Sequence, residues 1–456
     1  MTAPAAAPAA APAAAVPPAA LPRAPAAGRW AVALAGAVSL AVAMGLGRFA
    51  FTPLLPMMLH DGVIDRQSAS WLASANYLGY LAGALICTFQ PWLRTRLPKL
   101  PPADGPWLLR AGLVATGLLT LGMALPAAPL WPLLRFAAGV ASAVVFVYTL
   151  GWCLAQLARL GAPELGGVMF TGPGAGIVVS GVFASGMVAW QWRAATGWLI
   201  FGVLALVLTA SVWRVFRRGF GSGVGGGVGP RTMTGSAAPV RADSVATAAP
   251  CRAASDPALR RPAEGSGHAE IATLAVAYGL AGFGYIVTAT FLPVIARAAL
   301  PGSPWPDLFW PIFGLGVVGG ALLATRLRIS GDLRLLLAGG YLVQAAGIAV
   351  SVWSPSPAGF ALGSLLLGIP FTANTFFAMQ EVRRLRPALS AAYIGLLTAV
   401  YGVGQIVGPP LVALLLRHSA TPGEGFTRSL LIAMSALLIG AAMYVWMLRA
   451  HPMRPA

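Results

Sequence analysis

The chain has 456 residues, of which 58% are hydrophobic and only 9% are charged. An average soluble domain has about 25% charged residues, and a soluble protein of this length needs far more polar surface. The composition therefore excludes a soluble protein and predicts a chain that crosses the membrane several times. The net charge of +18 comes mostly from arginines in short stretches between apolar runs, which is typical of cytoplasmic membrane loops rather than of a nucleic-acid-binding surface.

The two ends and the middle of the chain lack long apolar runs and separate two membrane regions. Residues 1–29 are almost entirely Ala and Pro, and because they offer nothing to form a core we predict a disordered cytoplasmic tail. Residues 215–269 are rich in Gly, Ser, Pro and Arg, which predicts a flexible cytoplasmic linker. This linker divides an N-terminal six-helix bundle at 30–214 from a C-terminal six-helix bundle at 270–449, with a cytoplasmic tail at 450–456.

Twelve apolar segments are each long enough to cross the hydrocarbon layer, which takes about 20 residues of helix. In chain order they are 31–58, 69–93, 107–126, 130–157, 165–190, 195–214, 270–297, 307–326, 333–353, 358–380, 389–416 and 428–448. The predicted fold class is an all-α membrane protein with twelve transmembrane helices. If both termini are cytoplasmic, most Lys and Arg residues lie on the cytoplasmic side, and this bias predicts that orientation.

The two predicted bundles repeat each other's sequence pattern. Pairs of glycines, or a Gly-Pro step, recur at the same spacing in corresponding spans of the two halves. These are Gly45 and Gly47 with Gly282 and Gly284, Gly79 and Gly83 with Gly316 and Gly320, and Gly172-Pro173 with Gly408-Pro409. Because each half has an even number of spans, both halves enter the membrane in the same orientation. This predicts a secondary transporter with two pseudo-symmetric six-helix halves and a solute site at mid-membrane.

Several classes of catalytic site lack the residues that they need. Lys99 is the only lysine, so no G-x-x-x-x-G-K-[ST] phosphate-binding loop is present. The three cysteines form no C-x-x-C pair, and the four histidines form no H-E-x-x-H pair. The sequence therefore predicts that the protein is not an enzyme and that it uses neither a metal nor another cofactor.

Four runs of sequence resemble one branch of a known transporter superfamily. The run GLGRFAFTPLLP at 45–56 and the run ANYLGYLAG at 75–83 resemble the opening helices of the YbfB/YjiJ-type branch of the major facilitator superfamily. GFGY at 282–285 and YGVGQIVGP at 401–409 resemble its seventh and eleventh helices. The resemblance implies a twelve-helix transporter in the bacterial inner membrane, with helices 1, 4, 7 and 10 lining the cavity for the solute.

Two broader superfamily patterns can also be matched. Arg135 with Gly139 is similar to the R-x-x-x-G pattern of the fourth helix, which implies a role in proton coupling or gating. The alternative for Arg135 is that it snorkels to the outer surface. Gly172-Pro173 is similar to the glycine-proline motif of antiporters. We predict that this pair and Gly408-Pro409 bend their spans and act in coupling or gating.

Arg48 lies near the middle of the first predicted span, where a charge costs ~2.5–3.5 kcal/mol even on the insertion scale. Its side chain should therefore face protein or a water-filled cavity. Two interpretations remain open. The guanidinium binds an anionic group of the substrate, or it bonds backbone carbonyls freed where Gly45, Gly47 and Pro53 interrupt the helix. No acidic residue lies clearly within a span, which favours an anionic substrate.

Uncharged polar residues inside the spans are the next candidates. Tyr148, Tyr285, Thr288 and Asn374 lie on spans 4, 7 and 10, and we predict that they contact the substrate together with Arg48. These positions follow from the helices that line the cavity in the resembling fold. The same side chains can also serve helix packing, because polar groups in lipid need partners.

Other polar residues are assigned to packing. Asn76 and Gln405 are predicted to form helix–helix hydrogen bonds, which contribute about 0.6 kcal/mol each on average. Glu381 is followed closely by Arg383 and Arg384, which predicts an ion pair at the membrane interface rather than a proton carrier.

The sequence as a whole predicts a secondary active transporter that moves a small organic solute, anionic or amphipathic, by alternating access. The predicted driving force is an ion gradient, with the proton as coupling ion. The predicted state is a monomer in the lipid bilayer without a nucleic-acid partner. A drug or metabolite efflux antiporter is the alternative within transporters, and a membrane sensor that transports nothing is the alternative of another class.

Overall fold

The structure is a computed structural model. The residues that it describes are 26–96, 105–217, 266–326, 332–386 and 390–452. These residues form helices joined by turns, and they include no β-strand. Most of the predicted N-terminal tail and of the predicted linker, and the end of the C-terminal tail, lie outside the described residues. Helical structure reaches a few residues into each of these predicted segments.

The first helix, α1, consists of three segments. An α-helical segment at Ala26–Leu40 is followed by a π-helical segment at Ala41–Arg48, a turn, and a second α-helical segment at Phe51–His60. Gly45 and Gly47 lie in the π-helical segment, and glycine weakens a helix interior. Stretches of π-helix are rare and are frequently found at functional sites.

Eleven further helices complete the bundle. They are α2 (Arg66–Arg96), α3 (Gly105–Gly122), α4 (Trp131–Arg159), α5 (Thr171–Ala189), α6 (Ala194–Arg217), α7 (Ser266–Ala299), α8 (Phe309–Arg326), α9 (Leu333–Trp353), α10 (Pro357–Leu385), α11 (Ser390–Arg417) and α12 (Pro422–Ala450). In the described part of the chain, 11 helices are long and apolar enough to span a membrane. The exception is α3, which has 18 residues and carries Arg110. The predicted all-α class with twelve helices is confirmed.

Side-chain caps and glycines define several helix ends. Thr421 and Ser356 accept hydrogen bonds from backbone N–H groups in the first turns of α12 and α10. Gly62 and Gly302 have φ angles of 69° and 76° and follow the ends of α1 and α7, where a left-handed residue stops a helix. In the turn before α2, a hydrogen bond from the Ser68 backbone lowers the pKa of Asp65.

The two halves pack their helices in the same pattern. In the N-terminal half α2 lies along α4, α1 along α5 and α3 along α6. In the C-terminal half the corresponding pairs are α8 with α10, α7 with α11 and α9 with α12. The halves meet along two long interfaces, α2 with α11 and α5 with α8. The two-fold relation between the halves converts one interface into the other. This is the packing expected of a duplicated six-helix unit.

The Gly-Pro step has a different local structure in the two halves. The fifth predicted span, at 165–190, is interrupted at Phe170, between a short helix at Gly166–Met169 and α5. Pro173 therefore lies in the first turn of α5, where its missing N–H removes no helix hydrogen bond. In α11, by contrast, Pro409 lies inside a continuous helix.

Candidate substrate site

Arg48 is the last residue of the π-helical segment of α1, and its side chain is buried between the two halves with 3% of its surface exposed. Its Nη2 atom donates a hydrogen bond of 2.6 Å to Oε1 of Gln405 on α11, whereas Nε has no hydrogen-bond partner. Among the described residues no carboxylate forms an ion pair with Arg48. The guanidinium therefore keeps an uncompensated charge and unused donor capacity in the interior.

Aromatic rings surround the Arg48 guanidinium. Its central carbon lies 4.1 Å from the ring centroid of Tyr80, 5.1 Å from that of Tyr77 and 5.4 Å from that of Phe49. Contacts of a cation with ring faces contribute about 0.5–1 kcal/mol each at exposed sites and about 2 kcal/mol when desolvated. They stabilise the positive charge without neutralising it, so Arg48 remains able to attract an anion.

Gln405 connects Arg48 to the C-terminal half. Its side chain is 1% exposed, and its amide Nε2 donates a short hydrogen bond to the hydroxyl of Tyr285 on α7. Gln405 thus accepts a hydrogen bond from α1 of the N-terminal half and donates one to α7 of the C-terminal half. The packing role predicted for Gln405 takes the form of a contact between halves, and it brings Tyr285 into the same cluster as Arg48.

Arg135 on α4 holds the break in α1. It is 2% exposed, and its Nη1 and Nη2 atoms donate to the backbone carbonyls of Gly47 at 3.2 Å and Arg48 at 3.1 Å. Ser142, also on α4, donates to the carbonyl of Ala43 at 2.5 Å. Arg135 therefore does not snorkel to the surface. It performs the carbonyl-bonding role that was one of the two interpretations of Arg48, which leaves the Arg48 side chain free for other partners.

The burial of α1 and α7 increases at the depth of Arg48. Every residue of α1 from 42 to 58 and every residue of α7 from 284 to 296 is buried. Nearer their starts the same two helices have exposed side chains, such as Leu34 and Val276. Val276 lies about four turns before Thr290 on the same face of α7, and Thr290 bonds to Tyr77 of the other half. We therefore assign this exposure to a cleft between the halves that opens toward the predicted cytoplasmic side.

Five hydrogen bonds between described residues join the two halves. They connect Arg48 to Gln405, Thr52 to the carbonyl of Ala289, Ser74 to the carbonyl of Ile406, Tyr77 to Thr290, and Ser185 to the carbonyl of Asp307. Each lies at the depth of Arg48 or nearer to the predicted outer side. These bonds seal the outer end of the interface.

The family model described as the uncharacterised MFS-type transporter YbfB matches residues 40–225 and 233–445, which is most of the chain. The chain belongs to this family. It is therefore a multi-pass membrane transporter with a small-molecule substrate, and the resemblance drawn from the four sequence runs is confirmed. No curated protein sequence matches the chain.

A solved structure has a similar fold. The crystal structure of a mutant of the nucleoside transporter NupG aligns with a TM-score of 0.64 and 14% sequence identity, covering 91% of this chain and 99% of that chain. At this identity the likeness establishes the fold alone. The family and this structural neighbour are transporters rather than enzymes.

Two of the predicted substrate contacts in this MFS transporter do not join the Arg48 cluster. Asn374 is buried against α9, where its Nδ2 atom donates to Oε1 of Gln344 at 3.2 Å. Thr288 lies about one turn beyond Tyr285 on α7, in the sealed outer part, and its buried hydroxyl has no hydrogen-bond partner. The structure therefore places both side chains away from the open part of the cleft.

Two further predicted residues bond to neighbouring helices. Tyr148, near the predicted cytoplasmic end of α4, donates from its hydroxyl to Oε1 of Gln90 on α2 at 2.8 Å. Asn76 on α2 donates from Nδ2 to the carbonyl of Arg135 at 2.9 Å. The Asn76 contact is a helix–helix hydrogen bond of the kind predicted for it, and it ties the helix that carries Arg135 to the interface between halves.

The glycines of α1 and α5 let these helices approach closely. A Cβ added at Gly172 would overlap the carbonyl of Ala37, and one added at Gly45 would overlap the backbone of Gly176. On the other side of the molecule, a Cβ at Gly408 would lie 2.6 Å from the side chain of Ile286. The coupling or gating role predicted for Gly172, Pro173, Gly408 and Pro409 remains a prediction. In the structure, Gly172 packs closely on α1 and Gly408 packs closely on α7.

A buried ion cluster joins the predicted cytoplasmic ends of the C-terminal helices. Arg334 donates to Asp332 at 2.7 Å and to Glu270 on α7 at 3.0 Å. Glu381 on α10 accepts from Arg384 at 2.9 Å, which confirms the predicted ion pair. Burial alone raises the pKa of Asp332, but hydrogen bonds from the side chain and backbone of Arg334 outweigh it and lower the pKa overall.

A separate cavity lies apart from this site. It has a volume of about 240 Å³ and lies between the outer ends of α7, α9, α10 and α12, where Ile295, Phe360 and Phe426 line it. Its lining includes neither Arg48 nor a residue hydrogen-bonded to Arg48. The uncompensated charge makes the Arg48 cluster the better candidate for solute binding, because charge and unused donors give it a specific chemistry.

The sequence predictions did not include the aromatic residues of the site. Tyr77 and Tyr80 lie in the run that resembles the second helix, and their i, i+3 spacing puts both on one face of α2. That face points toward α1 and α7, whereas Gly79 and Gly83 pack on α4. Only the placement of Arg48 shows that they enclose a cation.

Proposed function

We propose that this MFS transporter is a secondary active transporter of a small organic anion, which it moves by alternating access and couples to an ion gradient. The observation that carries the proposal is Arg48, a buried guanidinium without a carboxylate partner at the closed end of a cleft. An isolated buried charge is costly, and an anionic ligand supplies the missing partner. The planar fork of arginine suits a carboxylate in particular.

The arrangement of contacts supports alternating access. The cleft reaches Arg48 from one side, and the five hydrogen bonds between the halves close the other side. Transport requires these bonds to break while the opposite end closes. Since both halves keep the same internal packing pattern, they can rock as units about the site.

The experiment measures uptake of candidate organic anions into vesicles that contain the purified protein, with and without an imposed pH gradient. Arg48→Gln should abolish flux of the accepted anion, whereas Arg193→Gln, the same change at an exposed arginine, should leave it intact. An uncharged nucleoside, the class named for the structural neighbour, serves as comparison. If the nucleoside is carried equally well by wild type and by Arg48→Gln, anion transport is contradicted.

The coupling ion, the orientation and the monomeric state are parts of the same proposal. A proton-coupled transporter should show flux that depends on the pH gradient and not on a sodium gradient. Reporter fusions at the C-terminus should be active only on the cytoplasmic side of a bacterial inner membrane. Light scattering of the purified protein should give the mass of one chain.

Efflux of an amphipathic compound is the second candidate. It is favoured by the close packing of Gly172 on α1, because Gly172-Pro173 is the pair that resembles the antiporter motif. A deletion strain that becomes sensitive to a compound while its uptake of anions is unchanged would support export over import.

A further inference from the structure

A row of aromatic rings lies next to the Arg48–Gln405 pair on the side of the C-terminal half. Tyr278 and Tyr401 stack with centroids 4.6 Å apart, and Tyr401 and Tyr285 stack with centroids 5.8 Å apart and planes at 17°. Phe371 follows, 4.9 Å from Tyr285. These four rings come from α7, α10 and α11, and we call them the aromatic wall.

Two members of the aromatic wall reach the cleft. Tyr278 and Tyr285 are buried, whereas Tyr401 and Phe371 are partly exposed. Tyr401 does not point to the outward face of α11, which carries the exposed Val403 and Val407, each 51% exposed. Its exposed surface therefore belongs to the interior of the molecule, about one turn nearer the predicted cytoplasmic side than Gln405. Phe371 likewise lies opposite the outward face of α10, which carries Leu362, 48% exposed.

The aromatic wall and Arg48 form one unit. Tyr285 accepts a hydrogen bond from Gln405, which in turn accepts one from Arg48. A ligand group bound to the guanidinium therefore lies close to the stacked rings. On the opposite side Tyr80, also partly exposed, covers the guanidinium at 4.1 Å.

The charge of the site selects among anions. The second buried arginine in this region, Arg135, uses both of its Nη atoms on the carbonyls of α1. One guanidinium is thus left to bind the ligand, and it balances one negative charge. A carboxylate has that charge, whereas a doubly charged phosphate would leave a second charge uncompensated in a buried place.

We propose that the substrate is an aromatic carboxylate, with the carboxylate on Arg48 and the planar ring against Tyr401 and Phe371. The inference rests on the proposed function in one respect, that Arg48 binds an anion. The ring preference is separate, because stacked or edge-to-face rings gain attraction beyond the area they bury. A saturated ring of similar size buries comparable area but lacks this gain.

The test uses purified full-length protein in detergent and pairs of carboxylates that differ only in the ring. The pairs are benzoate with cyclohexanecarboxylate, phenylacetate with cyclohexylacetate, and 3-phenylpropionate with 3-cyclohexylpropionate, which vary the distance from ring to carboxylate. Dissociation constants come from the concentration dependence of thermal stabilisation. In at least one pair the aromatic member should bind about two- to twelvefold more tightly.

Variants assign that preference to the wall. Tyr401→Leu and Phe371→Leu should each reduce it, Tyr401→Phe should preserve it, and Arg48→Gln should remove binding of both members. Phe183→Leu, at an exposed ring on α5, is the matched control and should change nothing. The pair of leucine variants keeps the test valid if one of them fails to fold.

Equal affinity within every pair would overturn the aromatic inference and leave anion transport standing. The same holds if a non-aromatic organic anion stabilises the protein and none of the aromatic carboxylates does. If no organic anion of any kind stabilises the wild-type protein, both the inference and the proposed function fail.

Discussion

Replacing Arg135 tests whether the break in α1 depends on α4. Arg135→Met keeps most of the side-chain volume but removes both donors to the carbonyls of Gly47 and Arg48. These carbonyls lie at the end of a π-helical segment, buried from water, and no other side chain of the described residues donates to them. The expected result is a less stable transporter whose α1 is disordered or rearranged around Arg48.

The magnitude follows from the two lost hydrogen bonds. Each buried acceptor left without a donor costs about 1–3 kcal/mol, which gives about 2–6 kcal/mol for both. Removal of the buried guanidinium also relieves its own desolvation cost, which opposes the loss. We therefore expect a net destabilisation near the lower limit, about 2 kcal/mol. Arg135→Lys keeps the charge but not the fork, and it should fall between wild type and Arg135→Met.

The assay is unfolding of the purified protein in mixed detergent micelles, followed by tryptophan fluorescence, with Arg193→Met as control at an exposed arginine. Anion binding to Arg48 should weaken in parallel, because the backbone that positions Arg48 is no longer held. If Arg135→Met unfolds like wild type but loses flux, Arg135 does not hold the break in α1. That result would favour the coupling or gating role implied by the fourth-helix pattern.

Three further changes probe other contacts. Gln405→Leu removes the hydrogen bonds that this residue makes to α1 and α7, so the outer seal should loosen. A Thr288→Cys reporter, which replaces a buried hydroxyl without a hydrogen-bond partner, should then react faster with a thiol reagent from outside. Gly45→Ala places a Cβ against the backbone of α5, so α1 and α5 must separate and thermal stability should fall. For Asp332 the folded-state pKa lies below 3.8; its ion-pair contribution is present in full above that value and is lost as the pH falls through the lower folded-state pKa. Asp332→Asn should flatten this part of the acid-unfolding profile.

Each change has its own control. Gly186→Ala adds the same methyl group where nothing lies within 4 Å, and it should be neutral or stabilising. Gln405→Glu places a negative charge on Arg48 and should tighten the outer seal, so slower labelling of the reporter is expected. An acid profile of Asp332→Asn that matches wild type would show that the Arg334 cluster does not contribute to stability.

The helices could be predicted because lipid imposes a simple rule on sequence. A span needs a long apolar run, and glycine or proline tends to lie where the run is interrupted, so the spans at 31–58 and 389–416 match α1 and α11 closely. The eight-residue π-helical segment at Ala41–Arg48 could not be derived in the same way. It depends on donors from Arg135 and Ser142, which come from a different helix.

The candidate site was only partly predictable for a related reason. Arg48 could be identified because a charge at mid-depth in a span is costly wherever it points. Neutral residues carry no such signal: Gln405, assigned to packing, binds Arg48, whereas Asn374, assigned to the substrate, binds Gln344 on α9. Which face of a helix points to the cleft is decided by the packing of all twelve helices, and apolar residues on every face conceal it.

Arg135 and Arg48 have different roles at the break in α1. Both Nη atoms of Arg135 donate to backbone carbonyls, one of them the carbonyl of Arg48, and so fix where α1 turns. The Arg48 side chain makes one short hydrogen bond to Gln405, and its Nε has no partner. An anion that reaches Arg48 from the cleft competes with Gln405 for the same guanidinium. Binding would then remove one of the five hydrogen bonds that close the outer end. Solute binding would therefore lower the free energy needed to separate the halves there. A transporter in which Gln405→Leu binds anion more tightly yet still seals its outer end would show that these two events are not linked.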